Sequence, residues 1–223
     1  MDPDAAAETT TVDDDGVVAD VTTPAGPVRG LVVLAHGAGG NRRAEILRAY
    51  ADAFNAHGFV AARIDLPYRQ QRPKGPPSAS RSGDDRDGIR RALERFRPLA
   101  PGGPVVVGGH SYGGRQASMV VAEDGAGTAD VLLLSSYPLH PPGKPERRRI
   151  EHLPDIRVPT VVVHGRTDPF ASADELEEAV ALIDAPTLVV TVAAPHALNP
   201  ARTGVADLAV EAVNEMLGPD SVN

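Results

Sequence analysis

The sequence predicts an α/β fold: a single domain built on a mostly parallel, doubly wound sheet with helices on both faces. Six short apolar runs, rich in Val and Leu, alternate with segments of helical spacing. The runs are nearly continuous, which is typical of strands buried on both faces. Strands that alternate with helices form parallel sheets through right-handed crossovers. The length of 223 residues suits one such domain.

The strands are predicted in chain order from these apolar runs. They cover residues 31–35, 60–64, 105–107, 131–134, 160–163 and 188–192. A further run at residues 17–21 is expected to add an antiparallel strand at the edge of the sheet. The sequence contains no internal repeat and gives no sign of a second domain.

Apolar residues at three- and four-residue spacing predict the helices that pack onto this sheet. The stripes are Ala44, Leu47, Ala51 and Phe54; Ile89, Leu93 and Phe96; Leu176, Val180 and Ile183; and Val205, Leu208, Ala212 and Met216. Two helix starts have the pattern of a capping box, in which a side chain accepts a hydrogen bond from a free N–H of the first turn. These pairs are Ser82 with Asp85 and Ser172 with Glu175.

The ends of the chain and its composition exclude several classes of function. Residues 1–15 are acidic and rich in threonine, so we expect a disordered tail there, followed by the folded domain at residues 16–218. This tail does not resemble a signal peptide, and no apolar run approaches the roughly 20 residues of a membrane span. We therefore expect a cytoplasmic protein with no membrane partner.

The net charge and the cysteine content exclude further partners and types of site. The formal net charge of −8 argues against a nucleic-acid partner. The absence of cysteine excludes disulfides, cysteine-ligated zinc and a thiol nucleophile. The histidines show no metal-ligand spacing with one another, so no metal is expected. The oligomeric state stays open.

A nucleophile elbow is predicted at residues 109–113, which have the sequence Gly-His-Ser-Tyr-Gly. The motif follows an apolar strand and precedes a helix-compatible segment at residues 115–122, which is the context that a G-x-S-x-G elbow requires. Its glycines are expected because a Cβ beside so tight a turn would clash. The alternative is a Gly-rich strand-to-helix turn without catalysis. In the first interpretation, Ser111 is the nucleophile.

Serine is a weak nucleophile at neutral pH and needs a base that is oriented by an anion. Such groups gather at the carboxyl ends of the strands in an open α/β sheet. Asp168 follows the fifth apolar run and His196 follows the sixth. Together with Ser111 they have the chain order Ser, Asp, His. The alternative for Asp168 is an acidic turn residue before a proline, and the alternative for His196 is a loop histidine at a strand end.

Backbone N–H donors are also needed for the oxyanion of a tetrahedral intermediate. The residue after the nucleophile, Tyr112, is expected to supply one. Ala38, in the Gly-rich segment of residues 36–40, is expected to supply the other, with Gly37 as the fallback. A plain turn that caps the following helix is the alternative for this segment. A phosphate site is disfavoured, because Arg42 breaks the G-x-G-x-x-G pattern and no Walker motif is present. No cofactor is expected.

Two long loops are expected to shape the substrate pocket, residues 67–81 and 138–157. The second is too short for a large cap domain, so we expect an open or lightly covered site. Basic side chains here are candidates for attracting an anionic acyl group, although a solvated basic loop is the favoured interpretation; they are Arg69, Arg72, Lys74 and Arg115. The aromatic candidates for the pocket, which are equally compatible with half-buried packing, are Tyr68, Tyr137 and Phe170.

Taken together, these motifs resemble those of the α/β-hydrolase superfamily, over about residues 28–217. The compact form without a cap is similar to the dienelactone-hydrolase-like branch. Residues 109–115 (GHSYGGR) and 137–145 (YPLHPPGKP) are similar to a small family of hydrolase-like proteins named after a testis-expressed protein. Dienelactone hydrolases use a cysteine nucleophile, whereas this chain has Ser111, which favours ordinary ester-type chemistry.

The resemblance and the residues together predict a serine hydrolase that cleaves a small ester-type substrate, a carboxylic ester or thioester, through an acyl-enzyme on Ser111. Two alternatives stay open. One is acyl transfer or perhydrolysis on the same triad, and the other is a non-catalytic interaction domain with the hydrolase fold.

Overall fold

The computed structural model describes residues 6–218, and its centre is one eight-stranded sheet. The strands are β1 (Glu8–Asp14), β2 (Val17–Thr23), β3 (Gly30–Ala35), β4 (Phe59–Asp65), β5 (Val105–His110), β6 (Val131–Ser135), β7 (Thr160–Gly165) and β8 (Thr187–Val192). Their order across the sheet is β1-β2-β4-β3-β5-β6-β7-β8. The strands β3 to β8 are parallel, and β1 and β2 are antiparallel to their neighbours. All six strands predicted from apolar runs at residues 31–192 are confirmed.

Helices cover both faces of the sheet, as predicted. They are α1 (Glu45–Ala56), α2 (Pro67–Gln71), α3 (Ser82–Phe96), α4 (Tyr112–Asp124), α5 (Ala173–Val180), α6 (Pro200–Thr203) and α7 (Val205–Leu217). Successive residues of β3 face opposite cores: Val33 packs in the cluster that contains α3 and α4, whereas Val32 and Leu34 pack with α1 and α7. This alternation explains why the strand is apolar at nearly every position.

Residues 8–14 are not a disordered tail, as the sequence had led us to expect. They form β1, which pairs with β2 from Glu8 opposite Thr23 to Asp14 opposite Val17. The hairpin turns at Asp15 and Gly16, both with positive φ, which is the Asp-Gly signature of a tight hairpin. Threonine favours exposed strands, and the acidic side chains keep this outer edge polar. Consequently β2 is an inner strand, and residues 1–5 lie outside the described part of the chain.

Of the predicted helix details, one capping box is confirmed, and the other capping box and part of one apolar stripe are wrong. The capping box at Ser172 and Glu175 is confirmed, with both reciprocal bonds formed. The one at Ser82 is wrong: α3 begins at Ser82 itself, and Asp85 points into the protein. Leu208 is 38% exposed, so the buried face of α7 is rotated from the predicted stripe towards Ala209 and Val213.

The two long loops are more ordered than a plain loop. Residues 67–81 contain α2 and a 3₁₀ turn at Ala79–Arg81, and residues 138–157 contain a 3₁₀ turn at Leu153–Asp155. Neither forms a cap domain. Within residues 6–218, every helix is too short or too polar to cross a bilayer.

Candidate active site

The turn between β5 and α4 holds Ser111 in a strained conformation, with φ 53° and ψ −116°. A non-glycine residue at positive φ costs of order 1–3 kcal/mol and is kept only where its surroundings enforce it. Here the Ser111 N–H donates to the Ser135 carbonyl at 2.7 Å, and the Ser111 carbonyl accepts from the Arg115 N–H at 3.0 Å. The predicted elbow is therefore formed between strand and helix.

The glycines of the elbow are required because β3 passes close to it. A Cβ at Gly109 would lie 2.1 Å from the Ala35 carbonyl oxygen, and one at Gly113 would lie 2.3 Å from the same atom. Real Cβ atoms do not approach a backbone oxygen so closely. The spacing of the motif thus follows from the packing of the turn against the neighbouring strand.

The three side chains selected for a triad lie in one hydrogen-bonded line. His196 Nε2 is 2.9 Å from Ser111 Oγ, and His196 Nδ1 is 2.7 Å from Asp168 Oδ2. A carboxylate only accepts, so Nδ1–H donates to Asp168 and Nε2 is free to accept the Ser111 proton. Asp168 is buried, and its Oδ1 accepts from the Phe170 N–H at 2.9 Å.

His196 is supported on several sides. Ser136 Oγ donates to the His196 carbonyl at 2.8 Å, and the Phe170 ring lies against the imidazole with centroids 4.3 Å apart. Ser136 itself has a positive φ of 50°. Sequence reasoning missed Ser136, since a serine just after a strand carries no distinctive signal. It did include Phe170, which contacts the imidazole directly.

A second histidine, His110, lies beside His196 with ring centroids 5.1 Å apart. Burial lowers the pKa of His110 to about 4, and the proximity of His196 adds to the effect. His110 is therefore neutral at pH 7 and places no positive charge beside the His196 ring.

The segment of residues 36–40, here called the oxyanion loop, lies against the nucleophile. A Cβ at Gly37 would be 3.5 Å from Ser111 Cβ and 3.3 Å from His110 Cδ2. Tyr112 begins α4, where first-turn N–H groups have no intrahelical partner. The loop and Tyr112 thus flank Ser111, where donors for an oxyanion are needed. The roles of the Ala38 and Tyr112 N–H groups stay predictions.

Arg69 is not a free cation in the pocket, which corrects our expectation. It is 7% exposed and donates to four carbonyls, those of Ala38, Gly40, Arg72 and Gly75, at 2.7 to 3.2 Å. The short helix α2 carries the side chain beneath the oxyanion loop, where it shares the Ala38 carbonyl with the Tyr68 hydroxyl. The guanidinium of Arg69 is thus engaged by backbone carbonyls.

Two of the aromatic pocket candidates, Tyr68 and Tyr137, are buried and bond to backbone carbonyls. Tyr68 is buried beside Arg69, and its hydroxyl donates to the oxyanion loop. Tyr137 is also buried and donates to the Arg149 carbonyl at 2.5 Å, within its own loop. Arg115 neighbours Tyr137 and Arg149, and its buried Nε has no hydrogen-bond partner among the described residues. Its role in attracting an anionic acyl group stays a prediction.

Comparisons with known proteins agree with this fold. Residues 28–216 match a family model described as an alpha/beta hydrolase domain. Among solved structures, the chain is similar to a dienelactone hydrolase from Anabaena variabilis, with 22% identity, a TM-score of 0.72 and coverage of 92% of this chain and 96% of that one.

Two further structures have the same fold. An alpha-beta serine hydrolase homologue from Coxiella burnetii is 15% identical over 92% of this chain and 95% of its own, with a TM-score of 0.70. A serine hydrolase without a lid from Xanthomonas campestris is 17% identical over 92% and 91%, with a TM-score of 0.67. The narrower resemblance to the family named after a testis-expressed protein stays a prediction.

Proposed function

The chain belongs to the alpha/beta hydrolase family, whose model covers residues 28–216, and from this premise we propose that it is a serine hydrolase acting on a small ester-type substrate. The substrate is a carboxylic ester or thioester, and the reaction passes through an acyl-enzyme on Ser111. The observation that supports this most strongly is the line of contacts from Ser111 Oγ to His196 at 2.9 Å and from His196 to Asp168 at 2.7 Å.

The first half of the reaction acylates the enzyme. Ser111 Oγ attacks the acyl carbonyl while its proton passes to His196 Nε2, and Asp168 stabilises the imidazolium that results. The oxyanion accepts hydrogen bonds from the backbone N–H groups of Tyr112 and Ala38. The intermediate then collapses, the bond to the leaving group breaks, and His196 returns the proton to that group.

The second half releases the acid. His196 takes a proton from a water molecule, which attacks the acyl carbonyl, and a second tetrahedral intermediate forms in the same place. Its collapse breaks the bond to Ser111 Oγ, which recovers its proton from His196. An alcohol or hydrogen peroxide in place of this water would give acyl transfer or perhydrolysis, so the nucleophile that captures the acyl group distinguishes these activities.

Labelling with a fluorophosphonate, read by intact mass, tests the proposal alongside a panel of p-nitrophenyl esters of short to medium acyl length. We expect wild type and Ser80→Ala to be labelled, because Ser80 is an exposed serine whose hydroxyl contacts only Ser78 among the described hydrogen bonds. Ser111→Ala should lose labelling, and its turnover should fall by about 10³-fold or more.

A folded wild-type protein with neither label nor turnover would refute the proposal, and the interaction-domain interpretation would then replace it. Adding an alcohol or hydrogen peroxide to the ester assays identifies the acyl acceptor. Ester or peracid products that outcompete the free acid would replace hydrolysis by acyl transfer or perhydrolysis.

A further inference from the structure

Two peptide planes meet at Ala38, and side chains hold the carbonyl oxygen of each: His36 within the oxyanion loop, and Tyr68 and Arg69 outside it. The Tyr68 hydroxyl is 2.9 Å from the Ala38 oxygen and 3.2 Å from the Gly37 oxygen. His36 Nδ1–H donates to the Gly37 oxygen at 2.9 Å, and Arg69 donates to the Ala38 oxygen at 3.2 Å. Among the side-chain hydrogen bonds of residues 6–218, those of Tyr68 alone reach both planes.

These contacts determine where the N–H groups of the loop point. In a planar trans peptide, the carbonyl of one residue and the N–H of the next point in opposite directions. Holding the Gly37 oxygen therefore orients the Ala38 N–H, and holding the Ala38 oxygen orients the Gly39 N–H. Since Gly37 lies against Ser111, a rotation of either plane would move an N–H donor beside the nucleophile.

Asp85, on α3, links Tyr68, which contacts the oxyanion loop, to Tyr112, which follows Ser111. Its Oδ1 accepts from the Tyr68 N–H at 3.0 Å, and its Oδ2 accepts from the Tyr112 hydroxyl at 2.7 Å. The rings of Tyr68 and Tyr112 also pack edge to face, with centroids 5.8 Å apart. The carboxylate is 1% exposed, so water does not compete for these bonds.

We propose that Tyr68 and Asp85 are positioning residues of the oxyanion hole. Tyr68 sets the two peptide planes at Ala38, and Asp85 holds Tyr68 and Tyr112 in a fixed relation, so that both N–H donors converge on one point beside Ser111. The inference rests on the proposed hydrolase function. Neither residue belongs to the nucleophile, the base or its acidic partner.

A simpler role for Asp85 is to satisfy a free N–H in the first turn of α2. That role requires only the bond between Oδ1 and Tyr68, and it predicts a loss of stability without a specific loss of rate. The bond between Oδ2 and the Tyr112 hydroxyl separates the two interpretations. Tyr112→Phe removes this second bond and retains the Tyr112 N–H, the ring packing and the bond to the Tyr68 N–H.

The test measures kcat, KM and the affinity for a trifluoromethyl ketone, which forms a tetrahedral adduct with a serine nucleophile. We expect Tyr68→Phe and Tyr112→Phe each to lower kcat about tenfold or more, with KM within twofold of wild type. Donors of an oxyanion hole act on the transition state, and losing one entirely costs about 10²–10³ in kcat. Affinity for the ketone should fall by the same factor as kcat/KM.

Two matched variants control for charge and for stability. Asp84→Asn changes the neighbouring carboxylate, which is exposed and pairs with Arg81. Tyr50→Phe removes another buried phenol, which bonds to Ser135 Oγ at 2.9 Å and has no contact with the oxyanion loop among the described hydrogen bonds. Both should retain kcat within twofold of wild type. Thermal melting of all variants identifies any that fail to fold.

The outcomes separate this inference from the proposed function. An active wild type with a folded Tyr68→Phe of unchanged kcat would overturn the positioning role alone. A loss of rate in Tyr68→Phe that Tyr50→Phe reproduces at equal loss of stability would also overturn it. A wild type without turnover or fluorophosphonate labelling would overturn both, because no oxyanion would then form.

Discussion

Four backbone carbonyls accept hydrogen bonds from Arg69, which makes its guanidinium part of the framework behind the oxyanion loop. The planar group offers five donors in a fixed arrangement, and a lysine ammonium cannot reproduce that geometry. The positive charge of this loop therefore predicts its function poorly. Local sequence also predicts the role of Asp85 poorly. Its spacing from Ser82 suggests a capping box, but its carboxylate binds the Tyr68 N–H and the Tyr112 hydroxyl.

At the scale of single residues we expect Arg69→Ala to destabilise the fold without changing substrate preference. The loop carbonyls would lose a shared donor, at a cost of about 1–3 kcal/mol in the free energy of unfolding. Activity should fall equally on a carboxylate-bearing ester and on a neutral ester of the same length. Urea unfolding and the ratio of the two kcat/KM values measure both effects.

Arg72→Ala is the matched control, because Arg72 is exposed and its guanidinium donates to the Pro76 carbonyl on the surface. Its effect on stability should stay within about 0.5 kcal/mol. A selective loss of the anionic ester in Arg69→Ala would refute the framework role and restore the sequence-based idea of an anion contact.

At the scale of elements, the strand β1 completes one edge of the sheet. It pairs with β2 over seven residues, and Thr9 and Thr11 make side-chain bonds to Thr22 and Asp20. Without β1, the backbone donors and acceptors of β2 that face it would lose their partners. An unpaired, partly apolar strand is a template for pairing with another chain.

Deletion of residues 1–14 is therefore expected to lower the melting temperature by several degrees and to cause concentration-dependent association. Size-exclusion chromatography with light scattering measures the association, and calorimetry measures the melting temperature. Deletion of residues 1–7 leaves β1 in place and should change neither. If the longer deletion also changes neither, residues 8–14 contribute nothing to the folded domain, as the sequence had first suggested.

Most elements were predictable because a single physical signal determined each one. The apolar runs of β3 to β8 require burial on both faces, and Ser172 with Glu175 satisfies a helix start locally. Asp15 and Gly16 also carry a hairpin signal, which the prediction of a disordered tail from the acidic composition did not use. The contacts of Asp85 and Ser136 depend on segments far away in the sequence, and no local pattern encodes them.

At the scale of the whole molecule, the parallel sheet explains why a triad could be selected from sequence at all. The strands β5, β7 and β8 end at the same edge, so residues that follow them meet although they are 28 and 85 positions apart. The sheet topology therefore brings together residues that are distant in the sequence. It does not determine loop conformation, which is why Tyr137 and Arg69 were assigned to the pocket and lie in the framework instead.

The whole fold should also lose stability in acid, because it holds several histidines in their neutral form. Burial lowers the pKa of His110 and of His152 to about 4, in the second case with help from Arg115. An unfolded histidine titrates near 6.5. Between pH 6.5 and 4, the unfolded state therefore binds more protons than the native state, and stability falls as the pH falls through this window.

Each such histidine contributes a slope of up to about 1.4 kcal/mol per pH unit within that window. His152→Gln removes one titrating group and keeps a donor for Ser118 Oγ, which lies 2.7 Å from His152 Nε2. We expect urea unfolding at pH 7.5, 6.0, 5.0 and 4.5 to show a shallower fall in stability for this variant than for wild type. Equal slopes in wild type and His152→Gln would mean that His152 is protonated in the native state, and the acid sensitivity would then have to arise from other groups.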